Sequence, residues 1–154
     1  MTIPTFLAFL FLVAAPALAP EQFFVGRTEG TGVASVIMSG KHGVRVRSHG
    51  RIEGAGTLVL DQVVMEEGKP ARKRTWRLVR SGIRLSGTIS DARGPVTGEI
   101  AGNVLHLRYR SVEGPSVEQW ITFQPGGRIA TNRMVFRKFG MSLGTLQETI
   151  RKVD

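Results

Sequence analysis

Along most of this chain apolar residues recur at every second position, between short clusters of glycine, proline and asparagine. The pattern is clearest from Arg72 to Arg110. Thr75-Trp76-Arg77-Leu78-Val79-Arg80 stops at Ser81-Gly82, Ile83 to Ile89 runs to Asp91-Ala92-Arg93-Gly94-Pro95, Val96 to Ile100 reaches Gly102-Asn103, and Val104 to Arg110 closes the set. A period of two broken by turn residues is the signature of consecutive antiparallel strands. Val44 to Ile52 places Arg45, Arg47, His49 and Arg51 on one face and Val44, Val46 and Ile52 on the other. Thr57 to Met65 carries apolar residues on both faces, as a more buried strand does. Phe23 to Gly32 reads as a short opening strand, and Val33 to Met38 continues it before a turn that holds His42. Val117 to Phe123 and Arg128 to Phe139 alternate again, the latter with Ala130, Asn132, Met134 and Phe136 on one face. The segment Thr145 to Val153 fits helix and strand spacings alike; Leu146-Glu148-Ile150 against Gln147-Thr149-Arg151 favours a closing strand.

Some ten short antiparallel strands in one domain have edges to hide, and closure into a barrel hides them. Two barrels fit. In a soluble one the apolar phase points inward; in an outer-membrane one it faces lipid and the charges line the lumen. The inverted arrangement would bury most of sixteen arginines against twelve carboxylates, at several kcal/mol for each unpaired ion. It also needs two aromatic girdles, and only eight scattered aromatic residues follow position 19. The predicted fold is therefore all-β, a single antiparallel lipocalin/calycin-like β-barrel of about eight to ten strands, residues 20–154, behind an N-terminal signal peptide, residues 1–19. Inside it fall Trp76, Leu78, Leu105, Leu107 and Tyr109, joined by Gln119, Asn132 and Met134, while Trp120 takes the opposite phase from Gln119. A mostly apolar interior with a few amides suits a small-molecule cavity. It equally suits a solid core whose amides satisfy backbone groups. Both stay open at this point.

The address comes from the first residues. Phe6 to Ala15 is an unbroken apolar run and Ala17-Leu18-Ala19 supplies small residues for cleavage before Pro20, although no Lys or Arg precedes the run. The run is shorter than the roughly 20 residues a spanning helix needs, so a retained anchor is the lesser alternative. The chain has no cysteine, which excludes disulfides, thiolate metal sites and a lipid-modified amino-terminal cysteine. The expectation is a soluble periplasmic protein, with association to membrane through charge left open.

That charge is +9, none of it from the first nineteen residues. Export argues against nucleic acid and leaves an anionic membrane surface or an acidic envelope partner as the counter-charge. Arg45, Arg47 and Arg51, Arg72 and Arg74 with Arg80, and Arg108 with Arg110 form the candidate outward faces; ordinary solvated faces with cross-strand ion pairs are the alternative.

Candidate chemistry is thin. Gly140-Met141-Ser142-Leu143-Gly144 matches G-x-S-x-G, but that elbow needs a strand-to-helix turn with an acid and a histidine downstream. Only ten residues follow Gly144 and none is histidine, so a glycine-bracketed β-turn is the reading. His42, His49 and His106 lack metal-ligand spacing and read as surface histidines. Asp61 and Glu118 read as arginine partners and Asp91 as turn chemistry. The residues assign no catalytic group, metal or cofactor, and binding is favoured over isomerase or hydrolase activity.

Several stretches carry a resemblance: Phe23-Phe24-Val25-Gly26 with Gly30 and Gly32, Leu58-Val59-Leu60-Asp61, Arg74-Thr75-Trp76-Arg77-Leu78, Gly98-Glu99-Ile100-Ala101-Gly102-Asn103, Leu107-Arg108-Tyr109, and Asn132-Arg133-Met134 followed by Lys138-Phe139-Gly140. In that order they resemble a family of proteobacterial exported proteins of unknown function regarded as lipocalin-like. The resemblance implies a calycin-type barrel in the cell envelope and, through an association with membrane-lipid modification, a lipid or fatty-acyl ligand. It carries over no catalytic residue. Many relatives look like lipoproteins, and the missing cysteine at the cleavage site departs from that pattern.

Overall fold

The computed structural model describes residues 19–154. The expected signal segment lies outside these residues, except for Ala19. A short helix α1 (Pro20–Phe24) precedes ten strands: β1 (Gly26–Val36), β2 (Gly40–Glu53), β3 (Thr57–Glu66), β4 (Arg72–Ser81), β5 (Arg84–Ile89), β6 (Ala92–Ala101), β7 (Val104–Ser111), β8 (Ser116–Phe123), β9 (Ile129–Lys138) and β10 (Met141–Lys152). Each strand pairs antiparallel with its neighbours in sequence, and β1 pairs with β10 from Thr28 opposite Lys152 to Val36 opposite Gly144, closing the barrel. The expected all-β lipocalin/calycin-like barrel is what the chain forms. The ambiguous tail is a strand, β10, because Leu146, Glu148 and Ile150 turn inward together.

The apolar phase lines the interior, from Val44 and Val46 on β2 to Leu105 and Leu107 on β7. Val59 is buried on the outward phase. Its cross-strand neighbours are Arg51 and Arg77, and Glu53 joins the two at 3.1 and 2.8 Å. The aliphatic stems of that bridged pair roof the valine.

Several expectations need correction. The chain opens as helix, not strand, over Pro20–Phe24. Proline suits a first helical turn, and two adjacent phenylalanines cannot both face inward from a strand. The helix instead lies across one end of the barrel, where Phe23 and Phe24 pack on Phe123 with ring centroids 5.3 and 6.1 Å away. Gly50 permits this, since a Cβ there would collide with the Phe24 carbonyl. Lys152 Nζ donates to the carbonyls of Phe23 and Val25 at 2.8 and 2.7 Å, and Arg80 pairs with Glu21 at 2.8 Å. Second, Arg74 is not on an outward face. It shares the phase of Trp76 and Leu78 and its side chain is only 10% exposed. Third, His42 lies on β2, half-buried beside Glu66, and Ile52 is exposed where β2 runs past the barrel rim. Phe139 and Gly140 make the turn into β10, so Ser142 starts a strand and no nucleophile elbow exists there.

Candidate ligand-binding site

Opposite the helix-capped end, the barrel opens into a chamber of about 300 Å³. Of the two interiors the alternation allowed, this is the hollow one. Its wall has two characters. The arc from β8 through β9, β10 and β1 to β2 contributes Val117, Met134, Leu146, Ala34 and Val44, with Glu148 and His42 as its polar members. The arc from β3 through β4 and the β5–β6 turn to β7 contributes Glu66, Arg72, Arg74, Asp91 and Tyr109. A recess of about 40 Å³ continues toward the helix, sharing Arg74 and Glu148 with the chamber and reaching Gln119 and Asn132.

Arg74 is held from several sides. Its Nε donates to Gln62 Oε1 at 2.8 Å, and the same oxygen accepts from Trp76 Nε1 at 2.8 Å. Gln62 Nε2 in turn donates to Ser48 Oγ at 3.0 Å. The guanidinium stands 5.4 Å from the Trp76 ring centre, a cation–π distance, and 3.7 Å from Asp91. Trp76 meets Tyr109 edge-to-face at 5.5 Å, and burial pushes the Tyr109 hydroxyl pKa up. The Nε of Arg74 is thus fixed while its far end faces the chamber floor.

Glu148 is a second ionisable side chain held inside. Asn132 Nδ2 donates to its Oε2 at 2.9 Å. Burial raises its pKa, and the Asn132 hydrogen bond and the Arg74 charge offset only part of that rise. The backbone makes room for it: on neighbouring β1, a Cβ at Gly30 would collide with the Glu148 carboxyl. Among the described residues Gln119 Oε1 and Asn132 Oδ1 have no hydrogen-bond partner although both side chains are buried. A buried amide oxygen without a donor is costly, and both residues line the recess.

At the mouth, Glu66 gathers Lys69 at 3.0 Å, His42 at 3.2 Å and Arg72 at 3.3 Å. Burial pushes its carboxyl up, but those partners together hold it below the ordinary value.

The predicted interior residues divide between the two spaces. Tyr109 and Met134 line the chamber; Trp76, Leu78, Leu107, Gln119 and Asn132 line the recess. Arg45, Arg47 and Arg110 are exposed on the outer wall. Arg51 pairs with Asp61 at 2.6 Å, and Arg108 lies 3.7 Å from Glu118. Glu118 also binds Arg137 and the imidazole of His106, which stacks on Trp120. His42 at the mouth therefore stands apart from His49 and His106 outside. Sequence reasoning missed Gln62, Glu66, Glu148 and the inward placement of Arg74. The signal was present: each is a polar residue on the apolar phase of its strand, as Glu148 is between Leu146 and Ile150.

A family model described as a protein of unknown function, DUF3833, matches residues 11–152. No curated protein matches the chain. Among solved structures, the S-type phycobiliprotein lyase CPES from Guillardia theta has a TM-score of 0.66 at 8% identity, over 87% of this chain and 90% of that one. A protein of unknown function from the DUF3598 family of Nostoc punctiforme also reaches 0.66, at 14% identity, over 90% of this chain and 50% of that one. EF1p2_mFAP2b, solved bound to DFHBI, reaches 0.50 at 10% identity, over 86% of this chain and 95% of that one. At these identities the likeness is one of fold.

Proposed function

The chain belongs to the DUF3833 family, and from its chamber we propose that it is a binding protein for a lipid or fatty-acyl ligand in the cell envelope. One observation carries the reading: a buried arginine, Arg74, faces a chamber whose other arc is aliphatic except for Glu148 and, at the mouth, His42. An acyl chain fits against Val44, Val117, Met134 and Leu146, while a carboxylate or ester oxygen accepts from the Arg74 guanidinium. The unpartnered oxygens of Gln119 and Asn132 suit a hydroxyl or amide donor on the same polar end. A volume of about 300 Å³ sits at the small end of ligand pockets, so a short or medium chain is favoured over a full phospholipid. The EF1p2_mFAP2b structure supports the reading in one respect: a barrel of this general fold holds a small molecule, DFHBI.

Displacement of a fluorescent acyl probe by medium-chain fatty acids tests the proposal. Wild type is expected to bind in a saturable way, and Arg74→Gln to bind the acid about tenfold or more weakly, the value of a lost charge-assisted hydrogen bond. No saturable binding by wild type would overturn it. The envelope address is part of the same proposal. Amino-terminal sequencing of protein from the producing cell is expected to begin at Pro20; a start at Met1 or Thr2 would contradict export with cleavage.

Glu148 favours a second reading. A buried carboxyl with a raised pKa inside an enclosed chamber has the character of an acid–base group, which an isomerase or hydrolase acting on a lipid-derived substrate requires. On that reading Glu148→Gln abolishes turnover and leaves binding intact.

A further inference from the structure

The turns at the open end invert ordinary turn chemistry. Met38, in the β1–β2 turn, is fully exposed, and Phe139, in the β9–β10 turn, is 89% exposed. Ile37 and Met141 beside them are 61% and 65% exposed. Turn tips normally carry glycine, asparagine or aspartate, which accept a left-handed backbone. Met38 and Phe139 are the two non-glycine residues with positive φ among the described residues, at 70° and 52°. Both are large and apolar, and a left-handed backbone strains such residues. Both side chains stand in solvent all the same.

The two turns are neighbours. Val36 pairs with Gly144, and Ile37 N–H donates to the Leu143 carbonyl at 2.9 Å. They therefore form one apolar tip on the rim beside the aliphatic arc. Its charges have one sign. Residues 37–41 and 137–141 contain Lys41, Arg137 and Lys138 and no carboxylate; Arg137 is taken by Glu118 at 2.6 Å, and Lys138 Nζ lies 5.7 Å from the Phe139 ring centre. Among the rim acids, Glu66 is engaged by Lys69 and Arg72, and Glu67 by the Gly43 N–H, while Glu113 lies on the adjoining β7–β8 turn, whose Gly114 sits beside Lys138. Apolar tips flanked by lysines match the interface of an anionic bilayer, with acyl region below and phosphate headgroups around.

We propose that Ile37, Met38, Phe139 and Met141 dock the open end of the barrel onto an anionic phospholipid bilayer, with Lys41 and Lys138 meeting the headgroups. Docked this way, the chamber mouth faces the membrane. The docking surface stands on its own observations; passage of an acyl ligand between bilayer and chamber rests on the function proposed above.

Co-sedimentation of the full chain with phosphatidylcholine vesicles, with and without phosphatidylglycerol, tests the surface. Wild type is expected to sediment with the anionic vesicles. The double variant Met38→Gly, Phe139→Gly is expected to partition about tenfold less, for the loss of two inserted side chains. Glycine is at home at these φ values, so this variant should melt no lower than wild type and keep its affinity for the soluble acyl probe. Lys41→Gln with Lys138→Gln is expected to remove the preference for anionic vesicles. Equal sedimentation of wild type and the glycine variant would overturn the proposal. So would a stable dimer in sedimentation equilibrium that the glycine variant abolishes, because the tips would then cover a second copy. Loss of probe binding with vesicle binding intact would refute the ligand reading alone.

Discussion

The two ends of this barrel use the same strands and the same alternation to opposite effect. At the helix-capped end the inward strand positions are mainly leucine and isoleucine with Phe123, the helix adds Phe23 and Phe24, the carbonyls of Phe23 and Val25 are taken by Lys152, and Glu21 is tied to Arg80. At the open end the inward positions are mainly valine, with Ala34, Met134, Leu146 and Tyr109, interrupted by Arg74, Glu148 and Glu66. Between the ends, in the recess, two amide oxygens are left without partners. The difference teaches that closure of the sheet supplies the scaffold, and that the size and polarity of the inward residues in each layer decide whether it is core or cavity. The capped end is built for stability and the open end gives some of it up.

The largest effect should come from attacking the capped end. Phe23 is completely buried among aromatic rings, so Phe23→Ala should cost about 3–5 kcal/mol in denaturant unfolding. Val44→Ala, on the chamber wall, should cost only about 1 kcal/mol, because its neighbours already border open space. Equal costs at the two sites would break the contrast. Arg74→Gln should follow the opposite pattern. Asp91 keeps Arg72 and Gln62 keeps its bond to Trp76, so stability should fall by about 1 kcal/mol while acyl-probe binding is largely lost.

Glu148→Gln sharpens the comparison through pH. The folded-state pKa of Glu148 is raised by burial, so the folded protein holds a proton that the unfolded chain releases above the ordinary carboxyl pKa. Stability owed to this group is thus fully present in acid and is lost as pH rises through the raised pKa. The glutamine variant should lack that loss: more stable than wild type at neutral pH, with the gap closing on acidification, as thermal melts across the pH range will show. The smallest effect belongs to the outer wall. Arg45→Gln and Arg47→Gln remove exposed charges, should change stability by less than about 0.5 kcal/mol, and should reduce vesicle binding less than the Met38 and Phe139 variants do.

Much of the fold was legible because alternation encodes it directly. Once Val44 and Val46 face in, Arg45 and Arg47 must face out, and Gln119 and Asn132 fall inside by the same parity. The hidden parts were those where a residue's phase and its chemistry disagree. Arg74 invites an outward reading by its charge, yet Trp76 and Leu78 share its phase; Glu148 sits among apolar residues in the same way. Pro20–Phe24 was missed for another reason. Pro20 and the adjacent phenylalanines are the local hint, but five residues are too few to set a helix by themselves, and its place across the barrel end is fixed by contacts to Phe123 and Lys152 about 100 or more positions away. The hollow interior was not legible either, since a list of inward residues does not reveal whether they meet.

A crystal structure of the protein grown with a medium-chain fatty acid tests the central claim most directly. The expected result is a single acid in the open-end chamber, its carboxylate within hydrogen-bonding distance of Arg74 and its chain along Val44, Val117 and Met134. Crystals grown with saturating acid whose chamber holds no acid, or an acid bound only on the outer wall, would contradict the account.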